Sequence, residues 1–131
     1  MVCLDTSVLV ALIRKDRGAL DALEAESKRG GFVSTTSVNL CELYAGAYGS
    51  RDPQKELGRV QDLISNLGLL ELDAKAARQY GELVNDAALR REPIGDFDLI
   101  VASIALENGE RLVTRNVKHF SKVKGLDVDM W

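Results

Sequence analysis

The sequence predicts a single α/β domain built around a mainly parallel sheet of short strands. Short apolar runs alternate along the chain with longer segments whose apolar residues recur at helical spacing. Strands that alternate with helices pair in parallel, because each helix carries the chain back across the sheet. A length of 131 residues, with 46% hydrophobic and 28% charged residues, suits one domain spanning residues 1–131.

The predicted strands are short apolar or β-branched runs bounded by turn and helix-start residues. In chain order they are Val2 to Leu4, Phe32 to Thr35, Leu69 to Leu72, Leu112 to Thr114, and an edge strand at Leu126 to Val128.

Most predicted helices begin at Ser, Thr or Asp, whose side-chain oxygen accepts a hydrogen bond from a free backbone N–H group. They run from Thr6 or Ser7 to Ile13, Asp16 to Gly30, Thr36 or Ser37 to Tyr48, Pro53 to Leu67, Ala74 to Arg90, and Asp96 to about Gly109. Apolar residues surround most of the third helix, which predicts that it is substantially buried. Arg115 to Phe120 is predicted to be a polar connection.

Composition excludes several classes of protein. A net charge of −3 argues against holding nucleic acid by bulk positive charge alone. No apolar run approaches a membrane span and no export signal is visible, so we expect a cytoplasmic protein. Cys3 and Cys41 lie in apolar surroundings and are expected to be buried free thiols. Two cysteines with one histidine, His119, are too few for a thiolate zinc site.

Three segments are apolar except for one acidic residue each. Asp5 is the only charged residue in 1–13, Glu42 in 37–50, and Asp98 in 97–106. Burying an unpaired carboxylate costs on the order of several kcal/mol, so each acid needs a partner, a proton or a metal ion. The competing interpretations are a helix N-cap for Asp5 and an exposed position for Glu42.

A hard divalent cation satisfies several buried carboxylates at once. Mg²⁺ and Mn²⁺ prefer oxygen ligands, and such sites suit phosphoryl chemistry because the metal acidifies water and neutralises phosphate charge. Cleavage of RNA without a metal would usually need a base and an acid, commonly two histidines, and this chain has one.

Four segments carry a resemblance to a known family. Leu4-Asp5-Thr6-Ser7-Val8-Leu9 resembles the first motif of PIN-domain nucleases, and 39–46, 98–105 and 112–120 resemble the second, third and fourth motifs in order. Gly125-Leu126 and Trp131 resemble the tail of VapC-type toxins. The resemblance covers the whole chain.

This resemblance implies a three-layer α/β/α fold with a central sheet of four to five strands, and a Mg²⁺- or Mn²⁺-dependent endoribonuclease leaving 5′-phosphate and 3′-hydroxyl ends. It assigns the catalytic and metal-binding roles to Asp5, Glu42 and Asp98. It also implies an RNA substrate, a VapB-type antitoxin partner and a homodimer.

The fourth acidic position of the family is not clearly matched here. Asn116 matches the family's polar position after a strand, here the one predicted at Leu112 to Thr114, and Asp96 is an alternative. Thr6 and Ser7 are further candidates near the metal, against plain helix capping. Arg115 and Lys118 belong to a basic cluster whose role is contact with RNA or a partner, or simply a solvated face.

Other classes of function compete with a toxin nuclease. The unclear fourth acid motivates a non-catalytic RNA- or protein-binding PIN module, and a housekeeping RNA-processing nuclease would share the same motifs. A response-regulator receiver domain needs an Asp after a central apolar strand. Its nearest candidate, Asp52, follows Tyr48-Gly49-Ser50-Arg51 instead, so this class is disfavoured.

Overall fold

The computed structural model describes residues 1–131 apart from the side chain of Ala87. Its strands are β1 Val2–Leu4, β2 Val33–Thr36, β3 Gly68–Leu70, β4 Arg111–Val113 and β5 Val128–Asp129. Within the described chain they form one five-stranded sheet in the order β3-β2-β1-β4-β5, and all neighbouring pairs are parallel. This confirms the predicted sheet: β1 has the predicted bounds, and the ends of the other four strands are displaced by one or two residues.

The helices are α1 Thr6–Ile13, α2 Arg17–Lys28, α3 Ser37–Tyr48, α4 Pro53–Ile64, α5 Ala74–Val84, α6 Ala87–Arg91, α7 Asp96–Glu107 and α8 Val117–Phe120. Four of them begin with a predicted cap. The side chains of Asp16, Thr36, Asp52 and Asp73 each accept a hydrogen bond from the backbone N–H three residues on.

The sheet separates two hydrophobic cores, as expected for three layers. Along β1, Val2 and Leu4 face a core shared with α1 to α4, whereas Cys3 faces a core shared with α5 and α7. This alternation follows from the two-residue period of a strand, and both faces are apolar because helices cover both. The predicted α/β/α architecture is therefore confirmed.

Two helical predictions were wrong. The helix predicted from Ala74 to Arg90 is two helices, because Asp86 accepts a hydrogen bond from the backbone N–H of Ala88 at 3.0 Å and starts α6. The predicted polar connection from Arg115 to Phe120 ends in the short helix α8. Its last residue, Phe120, is fully buried, so tertiary packing orders this segment.

Burial was overestimated for α3. This helix buries only Asn39, Leu43 and Ala47, and Tyr48 at its end is 68% exposed. Both cysteines are free, but Cys41 is exposed, contrary to prediction, because it lies on the outer face of α3. Cys3 is buried in β1, and burial raises the pKa of its thiol to about 12.

No described helix combines the length and the apolar character that crossing a bilayer requires.

Candidate functional site

The register of the sheet brings polar side chains to one level at the carboxyl ends of three strands. Leu4 of β1 lies opposite Thr35 of β2 and opposite Val113 of β4. Functional residues of parallel sheets collect at this edge. The residues that follow on each strand are Asp5, Thr36 and Thr114, and all three are buried.

Asp5 lies at the centre of this edge and is 4% exposed. Its Oδ2 accepts a hydrogen bond from the Thr114 hydroxyl at 2.8 Å and lies 3.4 Å from the Ser7 hydroxyl. Its Oδ1 accepts a hydrogen bond from Asn39 Nδ2 at 3.1 Å. Asp5 stands at the N-cap position of α1 but makes no side-chain cap bond, so capping does not explain this carboxylate.

The pKa of the Asp5 carboxyl is raised above its ordinary value, mainly because burial disfavours the ionised form. Hydrogen bonds from Thr114, from the backbone of Thr6 and from Asn39 act in the opposite direction without cancelling the effect of burial. The negative charge of Asp98 raises the pKa further. Asp5 and Asp98 therefore interact as like charges, a situation that a bound cation relieves.

Glu42 joins the site through a hydroxyl group. It lies half-buried on α3, and its Oε1 accepts a hydrogen bond from the Thr6 hydroxyl at 2.7 Å. Thr6 Oγ1 in turn accepts a hydrogen bond from Asn39 Nδ2 at 2.9 Å. One continuous set of hydrogen bonds therefore links Glu42 to Asp5.

Asp98 lies in the first turn of α7 and contacts the only histidine of the chain. Its Oδ2 is 3.0 Å from Nε2 of His119 on α8. The side chains are partly open to solvent, at 31% exposed for Asp98 and 35% for His119. Among the described residues, His119 is the one hydrogen-bond partner of the Asp98 carboxylate.

The predicted supporting residues differ in their placement. Ser7 lies beside Asp5, and its Oγ accepts a hydrogen bond from the backbone of Arg115 at 3.0 Å. Asn116 is exposed, and its backbone N–H donates to Thr114 Oγ1 at 3.1 Å. Asp96 is also exposed and lies 3.5 Å from the Tyr80 hydroxyl, away from the contacts of Asp5.

The predicted basic residues line a cleft of about 320 Å³ next to the acidic site. Arg115, Lys118 and Lys122 border this cleft, and His119 connects it to Asp98. The guanidinium of Arg115 pairs with Asp16 at 2.8 Å, and Lys122 pairs with Glu92 at 2.7 Å. Exposed ion pairs of this kind contribute little to stability, so an incoming anion readily competes with the carboxylates for Arg115 and Lys122.

Three residues of this site were not predicted from the sequence: Asn39, Thr114 and His119. Asn39 and Thr114 are fully buried and hydrogen-bonded to Asp5. The available signal for Asn39 was a side-chain amide among the apolar residues of a helix predicted to be buried, three residues before Glu42. His119 carried only a weak signal, because a lone histidine beside Phe120 is equally typical of packing.

The oxygen donors fit a hard divalent cation held by two carboxylates. The ion pairs of the described residues involve neither Asp5 nor Glu42, so no Lys or Arg neutralises them. No group of three or more His, Cys, Asp or Glu side chains among the described residues is arranged to hold a metal ion. Mg²⁺ usually takes one or two carboxylates and keeps several waters, which suits a site with Asp5 and Asp98 as its acids.

Comparison with known proteins gives consistent matches. A family model described as PIN domain matches residues 2–126. The chain is 30% identical over 128 residues to a tRNA(fMet)-specific endonuclease VapC of Shigella flexneri, covering 98% of this chain and 96% of that protein. It is 28% identical over 128 residues to Ribonuclease VapC2 of Haemophilus influenzae, again covering 98% and 96%.

Solved structures with this fold include VapBC2 from Rickettsia felis bound to a DNA fragment from their promoter. The match has a TM-score of 0.93 and 28% identity, and it covers 100% of this chain and 99% of that chain. DNA-bound VapBC from Salmonella typhimurium gives a TM-score of 0.90 at 28% identity, with coverage of 100% and 99%.

Proposed function

This chain belongs to the PIN-domain family, within its VapC group, and we propose that it is a Mg²⁺- or Mn²⁺-dependent endoribonuclease of the VapC toxin type. The observation that carries the proposal is the Asp5 carboxylate. It is 4% exposed, lies at the carboxyl edge of a parallel sheet, and has a second carboxylate, Asp98, close enough to raise its pKa. Asp5 is a buried carboxylate that forms no ion pair with a Lys or Arg among the described residues, and the negative charge of Asp98 acts on it, so the site calls for a cation.

The proposed division of roles follows from the contacts of each acid. Asp5 and Asp98 are the direct metal ligands, and the hydrogen bonds from Thr114 and Asn39 fix the orientation of Asp5. When bound there, Mg²⁺ or Mn²⁺ would acidify a coordinated water and neutralise charge on the phosphate. The Thr6 hydroxyl holds Glu42 through Oε1, which leaves Oε2 to accept a hydrogen bond from the attacking water.

The reaction is hydrolysis of an RNA phosphodiester. Water attacks phosphorus in line with the leaving 3′-oxygen, the bond from phosphorus to that oxygen breaks, and the oxygen takes up a proton. The products are a 5′-phosphate and a 3′-hydroxyl. Arg115 and Lys118 border the basic cleft, and His119, which also lines it, contacts Asp98. We propose that this cleft holds the RNA backbone next to the scissile phosphate.

The proposed partner is a VapB-type antitoxin, because the similar structures from Rickettsia felis and Salmonella typhimurium are VapBC assemblies. A groove of about 370 Å³ between α1, α3 and α4 suits a partner segment. Its lining includes Val10, Leu43, Gly46, Ala47 and the candidate site residue Glu42. A segment in this groove would contact Glu42, and we propose that the antitoxin inhibits cleavage in this way. We also propose that the protein forms a homodimer. Light scattering after size-exclusion chromatography would measure its mass and test this proposal.

The decisive experiment is RNA cleavage in Mg²⁺ or Mn²⁺, with initiator tRNA as one substrate and an elongator tRNA as its control. Asp5→Asn and Asp98→Asn should lose cleavage by at least about 100-fold. Asp62→Asn, at an exposed acid on α4, should keep full activity. Calorimetric titration with Mn²⁺ should show binding that Asp5→Asn abolishes.

The alternatives predict different results. A non-catalytic PIN module would bind RNA or protein without cleavage in either metal. A housekeeping nuclease would cleave but would not be inhibited by a VapB-type antitoxin. Full activity in Asp5→Asn or Asp98→Asn would reject the proposed mechanism outright.

A further inference from the structure

The side chain of Asn39 is the branching point of the hydrogen bonds that connect two of the acids. Asn39 is fully buried in the first turn of α3. Its Oδ1 accepts a hydrogen bond from the Thr36 hydroxyl at 2.7 Å, with the Thr35 hydroxyl at 3.4 Å. These contacts hold the amide group at its oxygen end.

The chemistry of its partners determines which way this amide faces. An ionised Asp5 can only accept hydrogen bonds, so the group that faces its Oδ1 at 3.1 Å must be the Asn39 nitrogen. The opposite orientation would place two acceptors against each other in a buried site, which is costly. Asn39 therefore directs both of its N–H bonds toward the acidic site.

The second N–H bond determines the direction of the next hydrogen bond. Asn39 Nδ2 donates to Thr6 Oγ1 at 2.9 Å, so Thr6 acts as an acceptor toward Asn39. The Thr6 hydroxyl proton is then directed to Glu42 Oε1 at 2.7 Å. One amide thus orients Asp5 directly and Glu42 through Thr6.

We propose that Asn39 is a positioning residue that sets the mutual placement of Asp5 and Glu42 for metal-dependent RNA hydrolysis. This inference rests on the proposed function. A neutral donor suits the task because it holds two carboxylates without cancelling their charge, which a lysine or arginine would do. The negative charge therefore stays available for a divalent cation, as with other hydrogen-bond partners of metal ligands.

The main test compares Asn39→Ala, which removes the amide, with Asn39→Leu, which removes both donors but keeps similar bulk. Both should weaken Mn²⁺ binding and lower kcat by about 10- to 100-fold, with KM for RNA within about threefold. Ser103→Ala is the matched control, because Ser103 is equally buried and its hydroxyl, among the described residues, bonds the Leu99 carbonyl alone. Its Mn²⁺ affinity and kcat should stay unchanged.

Thr6 provides a second test at a half-buried position. Thr6→Val should lower kcat, and Thr6→Ser should restore it because the hydroxyl returns. The double variant Asn39→Leu with Thr6→Val should be no worse than Asn39→Leu alone, since both remove the same connection. Additive losses would contradict the inference.

A third measurement needs neither metal nor activity. The Asn39 side-chain N–H protons of the metal-free protein should exchange with solvent far more slowly than those of the exposed Asn116. Equally fast exchange would overturn the inference, whatever the enzyme does. If the wild-type protein cleaves RNA while both Asn39 variants match it in Mn²⁺ affinity and kcat, the inference fails and the proposed function stands. If the wild-type protein neither binds Mn²⁺ nor cleaves RNA, the proposed function fails, and the role of Asn39 in that chemistry fails with it.

Discussion

His119 Nε2 lies 3.0 Å from Asp98 Oδ2 and joins the short helix α8 to the first turn of α7. The imidazole packs edge-on against Phe120, with ring centroids 5.6 Å apart and the planes at 88°. Phe120 is fully buried, so the core holds the backbone from which His119 reaches Asp98. A contact between two partly exposed residues is therefore supported by a rigid element.

Removal of this imidazole should impair catalysis more than folding. We expect His119→Ala to lower kcat/KM and Mn²⁺ affinity by about tenfold, because Asp98 loses its orienting partner. His119→Gln, which returns an N–H donor at similar reach, should recover most of the loss. Ser121→Ala, at an exposed position on the same segment, is the control. Equal activity in His119→Ala and wild type would contradict this prediction.

Stability should rise when the buried charge of Asp5 is removed. The pKa of Asp5 is raised in the folded state, so the folded protein binds this proton more tightly than the unfolded chain. Its contribution to the free energy of unfolding is therefore present at low pH and is lost as pH increases from about the ordinary value of 3.8 through the raised pKa.

We therefore expect Asp5→Asn to be more stable than wild type at neutral pH in metal-free buffer, by on the order of 1 kcal/mol. Urea unfolding between pH 4 and pH 8 measures the effect, with Asp62→Asn as the control for an exposed acid. A variant less stable than wild type at pH 8 would show that the ionised carboxylate stabilises this site.

The pair between Arg115 and Asp16 should control how strongly Arg115 contacts RNA. Arg115 Nη2 lies 2.8 Å from Asp16 Oδ1, and Arg115 Nη1 lies 3.3 Å from Asp16 Oδ2. In an inactive Asp5→Asn background, Arg115→Ala should weaken RNA binding several-fold. Asp16→Asn should strengthen RNA binding, because it frees the guanidinium. Filter binding at fixed salt measures both effects, and unchanged affinity in Arg115→Ala would exclude a role in RNA contact.

Lys118 should contribute a phosphate contact that depends on salt. Each phosphate neutralised adds about 0.7 to the slope of log K against log salt for single strands, so Lys118→Ala should reduce the slope by about that amount. Lys28→Ala is a suitable control, because Lys28 ends α2 and pairs with Glu24 at 2.8 Å. The same slope in Lys118→Ala and wild type would place Lys118 outside the RNA path.

The two thiols should differ sharply in reactivity. Cys41 is exposed, whereas Cys3 is buried and the pKa of its thiol is raised to about 12, so little thiolate forms. A thiol-reactive dye at pH 8 should label one site rapidly in the native protein and two sites in guanidinium. Rapid labelling of both thiols without denaturant would show that β1 is accessible.

Local signals explain why most of the fold was predictable. Asp16, Asp52 and Asp73 each cap a helix through an N–H three residues away, so their effect is visible within a short segment. The same kind of signal at Asp86 was overlooked, and a single long helix was predicted in place of α5 and α6. Helix α8 could not be recognised locally, because the burial of Phe120 by distant residues orders it.

By itself, the sequence determined the α/β class with its mainly parallel sheet, most of the helix starts, and the identity of three acids isolated in apolar segments. Such features depend on neighbours within a few positions, where spacing and side-chain type are enough. Only the tertiary structure decided the contacts of Asp5 with Asn39 and with Thr114, 34 and 109 positions away. It also decided the contact between Asp98 and His119, because the register of parallel strands and the docking of helices bring distant residues together.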